Sequence, residues 1–453
     1  MSFSIFLAFI AVTYLRPAEA LAPDLEMYRI TFWLSIVSLV ASVASLLLSR
    51  SIGTAQQAQA KRDSLFLIAL LCVAVFASLA TKGYFGEGLS ALSIFSPSAV
   101  TFLLTVINVN SMKRLKISCL TIAFCKVVLA IASIASYHTG FMADQLMMAQ
   151  VNESAAIDAD AEVSDIPAQD TSGKYLWRIR SLGFLNDPND FGQAMIMALP
   201  LLLGGYIAKK RMRNILLVGI PALILGYAIY LTHSRGALVG AAALFFFAIK
   251  RKFGARNTLL LIALSIVISS VAPGLMGGRE FSSDDESAGD RIDAWGEGLS
   301  MFAAHPIFGI GYRNFIDNYF ITAHNSWVLC FSELGLAGYF CWLGILVIAF
   351  KSLNQVLARA AIGSEEAKWA GILRISLLGF LTCAFFLSRT YIPNLYLLLA
   401  LCICAAQCAN IQLAAANAPP RADIKWINST AIISITSIIG IYLIVRLHNS
   451  GLI

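Results

Sequence analysis

Long apolar stretches separated by short basic or polar breaks run along nearly the whole chain. A helix needs roughly 17 to 25 predominantly apolar residues to cross the hydrocarbon core of a bilayer. Runs of that kind fall near residues 3–15 (short), 30–49, 64–81, 90–109, 115–137, 190–208, 214–231, 236–249, 257–273, 324–350, 369–387, 392–412 and 427–446. They predict an all-α fold, a polytopic transmembrane bundle of about 12–13 helices with an outer loop that carries short amphipathic helices. The corresponding divisions are N-terminal helices over 1–137, an outer loop over 138–189, central helices over 190–273, a large outer loop over 274–323 and C-terminal helices over 324–453.

Orientation follows from Lys and Arg, because basic loops stay in the cytoplasm. With the N-terminus inside, the cytoplasmic ends hold Arg50, Lys61 and Arg62; Lys113, Arg114 and Lys116; Lys209, Lys210, Arg211 and Arg213; Lys250, Arg251, Lys252 and Arg256; Lys351, Arg359 and Lys368; and Arg421 with Lys425. Most of the 26 acidic residues fall on the other side. The net charge of +7 therefore conceals a basic inside and an acidic outside, and it gives no reason to expect nucleic acid. Thirteen spans would leave the C-terminus outside and twelve would return it inside, a choice the pattern leaves open. Lys126 and Arg374 fall within predicted spans and are expected within a turn of a membrane face.

Composition agrees: 58% hydrophobic and 13% charged residues, with a mean hydropathy of +0.75, describe a chain whose main solvent is lipid. The first 20 residues have a small-residue site at Ala18–Ala20 but no basic leader region, so they read as a retained first helix. All nine cysteines lie in predicted spans, which leaves no disulfide framework and no thiolate metal site. No phosphate-binding loop, zinc-protease motif or nucleophile elbow is present. Asp284, Asp285 and Glu286 are the densest carboxylate group and read as a solvated turn.

Three polar intrusions are candidates for chemistry. The loop 138–189 opens with an acidic stretch without apolar period. It then changes to YLWRIRSLGFLNDPNDFG, which carries two arginines, a turn at Asp187–Asn189 and a helix cap expected at Asn189 or Asp190. The loop 274–323 holds Ile292, Trp295, Leu299 and Phe302 at helical spacing, so a surface helix over about 290–304 is expected to hold Arg291 at a fixed depth. Pro306 should end that helix, and Gly309 with Gly311 should make a bend leading to His324 and Asn325 at the head of the next span. The third intrusion is short: Thr232, His233, Ser234, Arg235 and Gly236 between two apolar runs. His233, His305 and Arg313 read as ordinary interfacial residues.

These pieces resemble the O-antigen ligase and polysaccharide polymerase family of bacterial membrane enzymes. The resemblance rests on Tyr14–Pro17 with Pro23, Arg180 followed by GFLNDPNDFG (183–192), THSRG (232–236), Arg291 with Trp295, HPIFGIG (305–311), AHN (323–325) and ELGLAG (333–338), in that order. It implies an inner-membrane glycosyltransferase that takes glycan from an undecaprenyl-diphosphate-linked oligosaccharide at the periplasmic face. Reaction would be by inverting displacement, without cofactor or metal ion. The negative charge that grows on the departing diphosphate then needs fixed cations, and the planar fork of Arg suits phosphate. The resemblance implies His324, Arg291 and Arg235 as catalytic residues, His324 being the general base. It implies Arg180, Asn189, Asp190, Asn325 and Trp295 as substrate-binding residues.

The acceptor would be a second glycan, as in an O-antigen or exopolysaccharide polymerase, or lipid A core, as in a ligase. NDPNDFG looks more like the polymerase branch. The short stretch after the last span speaks against a protein acceptor. Membrane lipid and a chain-length regulator are the further partners implied. A lipid or glycan transporter is the reading from a different class, disfavoured by the lack of an obvious inverted repeat and by the few charges at mid-span.

Overall fold

Apolar runs fold as helices because a main chain in hydrocarbon has to satisfy its own N–H and C=O groups. The computed structural model describes residues 2–21, 29–48, 59–151, 175–248, 286–416 and 423–451. In chain order the helices are α1 (Ser2–Leu15), α2 (Ile30–Leu48), α3 (Gln59–Ala80), α4 (Phe85–Asn108), α5 (Met112–Thr139) and α6 (Pro188–Leu202). There follow α7 (Arg211–Leu231) and α8 (Arg235–Ala248). The series ends with α9 (Glu286–Ala304), α10 (Ser326–Arg359), α11 (Glu365–Ala384), α12 (Pro393–Ala415) and α13 (Ile427–Asn449). Ten helices among the described residues are long and apolar enough to cross a membrane. The protein is a multi-pass helical membrane protein. The expected span at 257–273, the acidic stretch after residue 152 and Asp284 with Asp285 lie outside the described residues.

Two faces of the bundle are distinguished by what ties the helix ends together. On one, the Trp426 indole donates to Asp63 at 3.0 Å, Gln59 accepts from the Ile424 amide at 3.1 Å, and Lys368 donates to the Tyr206 carbonyl at 3.0 Å. Lys116 pairs there with Glu365. These are the basic ends of α3, α5, α11 and α13. The opposite face gathers α9, the 305–325 segment and the N-terminal ends of α6, α8, α10 and α12. The end of α13 also reaches this face, since His448 Nε2 lies 3.9 Å from Asp293 Oδ1 on α9. The C-terminal helix thus finishes beside α9.

α9 forms as its period predicts, somewhat longer than expected, and stops before Pro306. Trp295 is buried, while Ile292, Leu299 and Phe302 pack partly buried against the core. α6 starts earlier than expected: Asp187, not Asn189 or Asp190, is the cap, its carboxylate accepting from the amides of Asn189 at 2.8 Å and Asp190 at 3.2 Å. Pro188 at the first helical position explains the choice, because it has no N–H to satisfy and its φ is already helical. A feature not expected is a two-stranded antiparallel sheet of β1 (Met147–Val151) and β2 (Tyr175–Ile179), pairing Met147 with Ile179 and Ala149 with Trp177.

The largest difference concerns HPIFGIG. α10 is broken at Gly335, whose φ of 60° and ψ of −165° are not helical. The break frees two carbonyls and two amides inside the protein, and the 306–311 segment takes all four. Ile310 and Gly311 donate to the carbonyls of Ser332 and Glu333 at 2.9 and 3.0 Å, and Leu336 and Ala337 donate to those of Pro306 and Ile307 at 2.8 and 3.1 Å. The two backbones approach so closely that a Cβ on Gly309 would lie 2.3 Å from the Glu333 carbonyl carbon, and one on Gly335 2.4 Å from that of Ile307. The segment is thus a plug in a broken helix and more than a turn. Lys126 also departs from expectation. It is fully buried in the middle of α5, with its ammonium 3.6 Å from the centre of the Tyr14 ring.

Candidate active site

Three helix N-termini meet on the face that holds α9. α6 and α8 approach through Gly192, where a Cβ would come within 2.8 Å of Ala237 and 3.3 Å of the Thr232 hydroxyl. Arg178 locks that approach by donating to the Thr232 carbonyl at 2.8 Å and to the Asn189 side chain at 3.1 Å. The 232–234 turn is tight: His233 has φ 46°, and Ser234 caps α8 by accepting from the Ala237 amide at 3.3 Å. Arg235 is consequently held at the first turn of α8.

The third N-terminus is that of α10. Asn325 caps it, accepting from the amides of Trp327 at 2.9 Å and Val328 at 3.2 Å. It is fully buried, so its carbonyl oxygen is committed to the helix rather than available to a sugar. His324 precedes it with φ 45°, a left-handed conformation that a residue other than Gly adopts only when its surroundings enforce it. Part of the enforcement is visible in Trp295, whose indole N–H donates to the Ala323 carbonyl at 2.9 Å. Trp295 therefore braces the turn that carries His324.

The loop between α11 and α12 closes the site and brings a residue not singled out from sequence. The Arg389 amide donates to the Ser326 hydroxyl at 2.8 Å, and that hydroxyl donates to the Leu387 carbonyl at 2.6 Å. From this fixed backbone the Arg389 guanidinium pairs with Asp190 and lies 3.9 Å from the Asp187 carboxylate. Asp190 is thereby occupied by Arg389, and Asn189 by Arg178. Arg389 was legible in principle: it is a lone arginine between two apolar runs, the same kind of intrusion as Arg235.

Electrostatics join these pieces. Burial, then the guanidinium groups of Arg291 and Arg389, push the His324 imidazole down from 6.5 to about 4, while Asp187 pulls the other way. Arg291 is itself lowered, by burial and then by Arg235. His324, Arg291, Arg235 and Arg389 thus form one electrostatic group on this face. Arg180 is tied elsewhere, donating to the Asp144 carbonyl at 2.7 Å while its own carbonyl accepts from Ser133 at 2.8 Å.

Comparison with known proteins bears on the same stretch. The family model described as O-antigen ligase matches residues 220–343. Over that stretch the chain is similar to the O-antigen ligase family. The O-antigen ligase segment contains Arg235, Arg291, Trp295, His324 and Asn325. The residues that complete the group, Asp187, Asp190 and Arg389, come from outside it. No curated protein matches the chain. The function is accordingly of the O-antigen ligase type, glycan processing at a membrane.

Proposed function

We propose that the protein is a glycosyltransferase that moves glycan from undecaprenyl diphosphate to a membrane-bound acceptor at the periplasmic face. The observation that carries this is the convergence of Arg291 and Arg389 on His324, with Arg235 beside Arg291, at one end of the bundle. Arg235 and Arg291 hold the diphosphate and stabilise the charge it gains on leaving. His324 takes the proton from the acceptor hydroxyl as the oxygen attacks the anomeric carbon, and the centre inverts. An imidazole at about 4 is neutral at physiological pH and so able to accept, but it is a weak base. Donor binding corrects this, because a diphosphate on Arg291 offsets the cation that depresses His324. Base strength is then coupled to the presence of donor.

Arg180 assists only if it exchanges the Asp144 carbonyl for substrate. The basic ends of α3, α5, α11 and α13 belong to the cytoplasmic side by the distribution of Lys and Arg, which puts the His324 face in the periplasm of an inner-membrane protein. The acceptor is a second lipid-linked glycan if NDPNDFG marks a polymerase; it is lipid A core if the ligase description of the matched segment extends to activity.

His324→Ala should abolish transfer by purified protein in detergent while insertion and monodispersity are kept; normal transfer by that variant would refute the assignment. A transporter makes no product without a compartment, so the wild-type assay also separates the classes. In cells, loss of a polymerase leaves single repeats, and loss of a ligase leaves long chains on the carrier lipid.

A further inference from the structure

A cavity of about 850 Å³ opens between α1, α2, α4 and the 312–322 segment. Its volume is in the range of sites that enclose most of a bound small molecule. Its deep part is apolar, walled by Phe9 of α1, Phe32 of α2 and Ile94 and Val100 of α4. Val100 lies roughly 22 Å along α4 from Phe85, so the cavity reaches well into the depth of the hydrocarbon. Three arginines line its head: Arg16, which pairs with Glu19, Arg389, which pairs with Asp190, and Arg313. Glu333 lines it too, 2% exposed, its carboxylate accepting from the Phe315 amide at 3.3 Å and interacting with the Arg313 amide and the Tyr391 hydroxyl.

An apolar shaft under an arginine-lined head is complementary to an amphiphile with an aliphatic chain and a phosphate-bearing headgroup. Arg235 and Arg291 do not line this cavity, and Arg389, which binds Asp190, does. The cavity therefore meets the site from the side of Arg389 and not from the side assigned to the diphosphate. An inverting displacement sets nucleophile and leaving group on opposite sides of the anomeric carbon, so a cavity entering from another side suits the second substrate. We propose that this cavity receives the acceptor, a membrane-anchored glycolipid whose chain lies between α1, α2 and α4 and whose phosphate-bearing head meets Arg16 and Arg313. The proposal rests on the transferase reading and gives the second substrate a place.

The test varies donor and acceptor separately with the full-length protein in detergent. A polyprenyl diphosphate bearing one repeat and a phosphorylated core glycolipid serve as acceptors in separate arms, and the one that wild type uses identifies the source. Ile94→Trp, which fills the shaft, and Arg313→Ala, which removes a head cation, should each raise the acceptor KM at least about tenfold, the loss of roughly 1.4 kcal/mol. The donor KM should stay within about twofold, well under that energy. A raised donor KM, or no change in a monodisperse Ile94→Trp protein, overturns the proposal. A diazirine in the acceptor chain gives a readout independent of turnover. Cross-links to peptides from α2 and α4 that disappear in Ile94→Trp support the assignment, and cross-links elsewhere overturn it. Absence of product from wild type together with those cross-links would refute the transferase reading while leaving a lipid site in this cavity.

Discussion

The pH dependence of transfer tests the site most directly, and Arg389→Met is the perturbation that exposes its cause. His324 stands at about 4, so at pH 7 only about one molecule in a thousand carries imidazolium, against about one in four for an unperturbed histidine. The free-enzyme profile, kcat/KM, should therefore be flat from about pH 8 down to about 5 and fall with a limb near 4. At pH 5 the wild type keeps about nine-tenths of its plateau; a limb at 6.5 would leave about 3%.

The sign of the Arg389→Met effect follows from its neighbours. The variant removes a cation that disfavours imidazolium and leaves Asp187, which favours it, less compensated. The limb should move up, yet stop short of 6.5, because burial is the largest cause of the shift and remains. The kcat profile reports the donor complex, and its limb should lie above that of kcat/KM even in wild type, since bound diphosphate offsets Arg291. The assay is initial-rate transfer in detergent across pH 4 to 9, with monodispersity checked at each end. A wild-type kcat/KM limb at or above 6.5, or a downward move in Arg389→Met, would refute the electrostatic account of His324.

Four further outcomes are expected. Trp295→Phe keeps ring packing but strands the buried Ala323 carbonyl, at about 1–3 kcal/mol; it should lower kcat roughly tenfold or more with little change in KM, and an unchanged kcat would show that the indole does not position His324. Arg235→Lys replaces a fork by a point charge and should lose most kcat/KM for the diphosphate donor, whereas full activity would remove the bidentate argument. Gly335→Ala puts a methyl 2.4 Å from the Ile307 carbonyl in a backbone conformation open essentially to glycine, so thermal unfolding in detergent should show a loss above about 3 kcal/mol. Gly371→Ala on α11, with nothing within 4 Å, should be neutral or better by up to about 1 kcal/mol.

What could be read without coordinates, and what could not, divides along a physical line. A polar side chain in an apolar sequence is conspicuous because placing it near lipid is costly unless it has work or a partner there. Arg235, Arg291 and His324 stood out for that reason, and α9 stood out because a half-buried helix repeats its apolar face every three or four residues. Arg389 obeys the same rule. The plug was of another kind. Every residue but proline carries the same N–H and C=O, so nothing in HPIFGIG or ELGLAG announces that the first will hydrogen-bond across a break in the second. Both stretches contain glycines, and each alone reads as a bend. Only their pairing shows why two are required, one on each strand of contact at Gly309 and Gly335. Partner choice between remote backbones was the missing information, and it decides the site as well. The pairing fixes the 306–311 segment against α10, and the chain running from it carries Arg313 to the cavity head and His324 to the cap of that same helix.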